Sequence, residues 1–215
     1  MDLNKLNTDF LNIKFLINLY LEPIKIAVSE QDKYYEILKT NFLEEIEKIK
    51  EKFETIEEFQ PYYESHFYLQ DITLIKLKQH NFNSLILLIF SNLESLLKTI
   101  IEEEYKNINL KKVKNDYLNN YIEIIARERK IDKYQDLESY KFILNYKKLR
   151  NIIVHNNSIL SDEKYIEMYN KNTSLNLIVS NKLNSTNKYK VLIKDSKIIN
   201  ELIINSITLV EDLFK

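Results

Sequence analysis

Apolar positions recur every three or four residues through most of the chain, then every second residue in one short region, then every three or four again. The first spacing belongs to α-helices, which turn in about 3.6 residues, and the second to β-strands. In residues 3–27, Leu6, Phe10, Ile13, Leu16, Ile17 and Leu21 predict a helix that Pro23 kinks or ends. Residues 30–59 carry a stripe of Ile37, Leu38, Phe42, Ile46, Ile49 and Phe53. Lys and Glu fill the rest, which reads as a solvated outer face. Pro61 then separates this helix from a third over about residues 62–80.

The strongest pattern is FNSLILLIFSNLESLLKTIIEEEY, residues 82–105. Phe82, Ile86, Ile89, Leu93, Leu96 and Ile100 repeat at helical spacing, and Leu85, Leu88 and Leu97 widen the stripe, as in a central helix packed on more than one side. Opposite lies a polar strip of Ser91, Glu94, Ser95 and Lys98. Further helices are expected over about 112–129, over 135–156, and from a Ser161 cap to about Tyr169. Leu175, Leu177 and Val179, then Tyr189, Val191 and Ile193, alternate with polar residues around NKLNSTNK, which predicts a β-hairpin at about 175–194. Ser196 caps a last, strongly apolar helix, Lys197–Phe214. The fold expected is mainly α: a helical bundle over 62–215 with a small hairpin before its last helix, preceded by a helical extension over 1–61.

Composition narrows the chemistry. The 215 residues contain no glycine, which excludes a phosphate-cradling P-loop, a G-x-G-x-x-G dinucleotide turn and a G-x-S-x-G nucleophile elbow. No cysteine means no disulfide and no thiolate metal site, and three scattered histidines give zinc little to bind; no metal and no cofactor are expected. The net charge of −1 means that a polyanion would have to be met by local patches. The N-terminal residues lack the plan of a signal peptide. The longest uninterrupted apolar run, Leu85–Phe90, is far short of the roughly 20 residues that span a bilayer. A cytoplasmic protein with no membrane partner is the expectation.

One stretch concentrates rare residues. LRNIIVHNNS, 149–158, holds one of three arginines and one of three histidines. On a helix, Phe142, Tyr146, Leu149 and Ile153 share a face that should be buried, while Lys147, Lys148, Asn151 and His155 lie opposite. Arg150 sits on the flank, about 140° round the axis from His155. Asn156 and Asn157 tolerate the left-handed conformation that ends a helix, so His155 is expected in the last turn, where the dipole favours an imidazolium. An imidazole beside a permanent guanidinium suits RNA cleavage by the substrate's own 2′-hydroxyl: a base removes the hydroxyl proton, the oxygen attacks the adjacent phosphate, and a cation steadies the phosphoryl charge. One histidine per chain cannot serve as both base and acid, so a two-fold dimer would complete the set. The bland reading is a capping histidine and an arginine paired with a nearby acid.

Arg150-Asn151-Ile152-Ile153-Val154-His155 resembles the R-N-x-x-x-H motif of the HEPN superfamily. SLILLIFSNLESLLKTI (84–100), with Ser91, Glu94, Leu96 and Leu97, is similar to the early helix of its abortive-infection members, and the resemblance covers roughly residues 65–215. It implies a HEPN-like helical bundle, a homodimer through the motif helices, and a metal-independent endoribonuclease acting as a toxin or anti-phage effector, with an antitoxin or defence-system protein as a further partner. By this resemblance Arg150 stabilises the phosphate, Asn151 orients it or the base, His155 transfers the proton, and Glu94 supports them. The alternative reading of Glu94 is a surface acid paired with Lys98. Relatives commonly carry glycine where this chain has Ser158. Two other functions compete: a non-catalytic RNA- or nucleotide-binding module, with Lys147, Lys148 and Arg150 as its basic patch and Tyr140 and Tyr146 as stacking faces, and a structural partner whose 30–59 helix is an interaction arm. His66 and His80 read as structural.

Overall fold

A computed structural model describes the backbone of residues 3–110, 113–155, 158–183 and 186–215, and the side chains of 12–110, 113–155, 158–179 and 188–215. The protein is mainly helical. Helices α1 (Leu3–Tyr20) and α2 (Glu22–Lys50) meet at an elbow on Leu21. Pro23, in the first turn of α2, has no N–H to continue α1, so the break falls there and α2 then runs unbroken through residues 27–30. Leu21 is fully buried, and Asn92 donates from Nδ2 to the freed Tyr20 carbonyl at 2.7 Å, which pins the elbow to the helix below. The side chains of Leu6 and Phe10, expected on the buried stripe, lie outside the described residues.

The second break falls earlier than the sequence suggests. Thr55, extended at φ −133°, accepts from the Glu58 N–H at 3.3 Å and so starts α3 (Ile56–His66), with Glu57 and Glu58 in the first turn. Pro61 lies inside α3 instead of ahead of it. After a joint at the buried Phe67, α4 (Tyr68–Glu104) runs for 37 residues, about 55 Å, merging the two helices expected over 62–80 and 82–105. By length and composition α4 could cross a membrane, yet half of its apolar window is buried within the fold. Its apolarity is that of a helix packed against α1, α2 and the helices that follow.

Helices α5 (Tyr117–Glu128) and α6 (Glu138–His155) come next, then strand β1 (Ile159–Leu160), α7 (Glu163–Asn170), strands β2 (Leu175–Leu183) and β3 (Thr186–Ile193), and α8 (Lys197–Phe214). The strands form an antiparallel sheet in the order β1-β3-β2, with Leu175 opposite Ile193 and Ile159 opposite Lys190. The hairpin arms extend into NKLNSTNK, whose centre at 184–185 lies outside the described residues. Leu175, Val191 and Ile193 are buried as the alternation predicts, while Val179, in register with them opposite Tyr189, is exposed; the register shifts only beyond it, between Val179 and Asn181. Gln79 accepts the Ile193 N–H at 2.9 Å and ties the sheet to α4. The expected caps also differ: Asp162 occupies the cap position of α7 in place of Ser161, and the Lys197 N–H binds Asp195 instead of the Ser196 hydroxyl.

Two apolar clusters divide the molecule. The main core joins α1 and the first turns of α2 to α4, α5, α6, the sheet and α8. A smaller aromatic cluster of Phe42, Ile46, Phe59 and Phe67 joins the far half of α2 to α3 and the start of α4, with Phe42 and Phe67 edge to face at 5.9 Å. The division therefore does not fall at residue 61. Residues Ile13–Val28 are part of the main core, because the elbow folds α1 back along α4.

Candidate functional site

Helix α6 carries the expected site residues. Its buried face is Tyr140, Ile143, Tyr146, Leu149 and Ile152, packed on α4 and α8. The inward face is rotated by part of a turn from the expected one: Phe142 and Ile153 sit on the flanks, half-buried, while Ile143 and Ile152 take the inward positions. Tyr140 and Tyr146 are both buried, and the Tyr146 hydroxyl accepts from Asn172 Nδ2 at 2.7 Å. Neither ring is open for base stacking. Tyr169, fully buried against Tyr146, donates to the Asn145 carbonyl at 3.1 Å, and burial pushes its hydroxyl pKa strongly up.

The polar side of α6 separates into pieces. Lys147 reaches across to Asp116, the residue that caps α5, and Lys148 lies 3.8 Å from Asp162 and over the Tyr165 ring. Both lysines expected to contact RNA thus have acidic neighbours. Arg150 differs: among the described residues it forms no ion pair, and its one hydrogen bond runs from Nη1 to Asn151 Oδ1 at 3.2 Å. That bond fixes the arginine and the asparagine as a unit and leaves most of the guanidinium donors uncommitted.

Glu94 faces this unit from α4. The carboxyl is half-buried, and its pKa is raised by desolvation, a cost only partly offset by the nearby Arg150 and Lys147 and increased by Asp116. Lys98 pairs with Glu102 at 3.6 Å, not with Glu94, which corrects the surface-pair alternative. Ser91, Glu94, Ser95 and Lys98, foreseen as a polar strip, line a cleft of about 330 Å³ whose other wall is Tyr117 and Tyr121 of α5. Those tyrosines were not anticipated. Their signal was indirect: Asn115 and Asp116, both at positive φ, form a strained turn that brings the start of α5 to α6, held by the Lys147 pair and by Asn120 Nδ2 on the Asn115 and Asp116 carbonyls.

His155 is the last residue of α6 and is exposed. The helix is continuous from Arg150 to His155, so on one chain the two side chains stay about 140° and 7.5 Å apart along the axis. Asn156 and Asn157, expected to cap the helix, lie outside the described residues. Ser158 carries the left-handed backbone, at φ 64°. It is buried, donates its N–H to the Ile152 carbonyl at 3.1 Å and accepts from the Val191 N–H at 2.8 Å. The turn geometry that glycine would adopt freely is therefore kept with a Cβ in place. His66 stacks on Tyr62 at 4.0 Å, and His80 is exposed on α4; neither approaches the α6 set. Among the described residues, no group of three or more His, Cys, Asp or Glu converges as metal ligands would.

No family model, no curated protein and no solved structure matches this chain.

Proposed function

We propose that this chain is a metal-independent endoribonuclease of the HEPN type, acting as a homodimer and serving as a toxin or anti-phage effector. The 2′-hydroxyl of the substrate loses its proton to His155 as its oxygen attacks the adjacent phosphorus. Arg150 steadies the negative charge on the phosphoryl oxygens, and the bond to the 5′-oxygen breaks. The leaving oxygen takes a proton from the second copy's His155, leaving a 2′,3′-cyclic phosphate and a 5′-hydroxyl. Asn151 holds the guanidinium in place.

The observation that carries this reading is the state of Arg150. Two neighbouring cations, Lys147 and Lys148, form ion pairs, while Arg150 is oriented by Asn151, acts on Glu94 without pairing with it among the described residues, and stands five positions before an exposed imidazole. The separation of Arg150 and His155 on one helix favours a site completed by a second copy. The test is cleavage of single-stranded RNA by purified protein in EDTA, with the ends analysed. Cyclic phosphate ends with the wild type and none with His155→Ala are expected. Equal cutting by both proteins would remove the assignment, and tight, salt-sensitive binding without cutting would favour a non-catalytic RNA-binding module.

A further inference from the structure

The cleft between α4 and α5 has the composition of a site for a planar, hydrogen-bonding ligand. Tyr117 is 49% exposed and offers aromatic surface on one wall. Ser91, Ser95 and the Glu94 carboxylate supply polar atoms on the other. The volume of about 330 Å³ falls at the small end of ligand sites, enough for one base and its sugar. The charge of Arg150 also acts on Glu94, so the cleft and the α6 motif are electrostatically coupled.

A carboxylate accepts hydrogen bonds and donates none, and its two oxygens match two parallel donors. Of the four RNA bases only guanine presents such a pair on one edge, N1–H beside N2–H₂. Adenine and cytosine offer one amino group next to an acceptor, and uracil one N–H between two acceptors. We propose that this cleft is a guanine-selective base subsite, in which Tyr117 stacks on the base and Glu94 reads its N1–H and N2–H₂ edge. The assignment rests on the ribonuclease reading for its purpose, since the Arg150 charge that acts on Glu94 is the one the scissile phosphate would meet. It makes guanosine the preferred nucleotide next to the cut.

Binding of 5′-mononucleotides to the full chain in EDTA, followed by NMR shifts or calorimetry, tests the subsite without any cleavage. GMP is expected to bind at least about tenfold more tightly than AMP, CMP or UMP, with IMP, which lacks the 2-amino group, between them. Glu94→Gln should abolish the preference without lowering the melting temperature, and Tyr117→Ala should weaken all four about tenfold. The preference should also fade on acidification at a higher pH than an ordinary glutamate would give. Arg150 and Lys147 from α6 oppose that rise, while burial and Asp116 favour it. Tyr121 and Lys98 also face the cleft. Equal affinity for GMP and AMP, a preference that survives Glu94→Gln, or no binding at millimolar nucleotide would overturn the proposal. The two readings fail separately: GMP preference in a chain that never cuts RNA sinks the nuclease alone, and cutting without base preference sinks the subsite alone.

Discussion

The two ends of the polar side of α6 differ in almost every physical respect. The turn from Lys147 to Asn151 is clamped: Lys147 to Asp116, Arg150 to Asn151, and Leu149 buried beneath them. The end at His155 is exposed, and among the described residues the next one held is Ser158, where the chain turns into the sheet. A cation that must steady a phosphate benefits from a fixed position, because orientation is established before the reaction. A proton-transfer group needs access to substrate and to a second copy. The contrast teaches that one helix can hold one polar segment fixed and leave another open at its C-terminus, the division of labour that the proposed mechanism requires.

Four changes sharpen or break that contrast. His155→Ala should lower cleavage by about 10²–10⁴-fold. As an exposed residue it should move stability by less than about 0.5 kcal/mol in denaturant unfolding. A large loss of stability would mean that the open end is structural after all. Leu149→Ala, at the clamped end, should cost about 2–5 kcal/mol of stability, because it empties a fully buried site under Arg150. Ser158→Gly should raise stability by about 0.5–1 kcal/mol, since glycine relieves the left-handed strain at φ 64°. A loss there would mean that the serine side chain matters more than its backbone.

The smallest effect concerns pH. The Glu94 carboxyl has a pKa raised by burial, so its contribution to stability is fullest below the ordinary carboxylate range and is lost as pH rises through the raised value. Glu94→Gln removes that titration. Its melting temperature at neutral pH should equal or slightly exceed that of the wild type, and the difference should vanish in acid. A variant less stable at neutral pH than in acid, relative to wild type, would show that Arg150 and Lys147 outweigh the burial.

Much of this was legible in the residues. The apolar period found the centre of α4, the polar strip along it, α6 with its end at His155, and the closing helix α8. What failed was punctuation. Pro61 looked like a boundary, yet the pair Thr55 and Glu58, a cap residue with an acid three positions on, set the start of α3 and carried the proline inside it. Strand β1 is only two residues long and follows from the turn at Ser158 and pairing with β3, which no local pattern announces. Tyr117 and Tyr121 joined the site through an Asn115–Asp116 turn held by a lysine 31 positions away, a tertiary constraint without a sequence period. The main core takes in α1 for a similar reason: Leu21 and Asn92 fix the elbow across a long separation.

The central claim is that one guanidinium and one imidazole act on the same phosphodiester although their helix holds them apart. Co-assembly of wild-type chains with His155→Ala chains tests it most directly, because the mixed dimer keeps both copies of Arg150 and only one His155. The site takes its base from one copy and its acid from the other, so RNA cleavage in EDTA by a mixed dimer of demonstrated composition is expected to fall to the level of the His155→Ala homodimer. A mixed dimer that keeps about half of the wild-type activity would contradict the account, since each chain would then carry a complete site of its own.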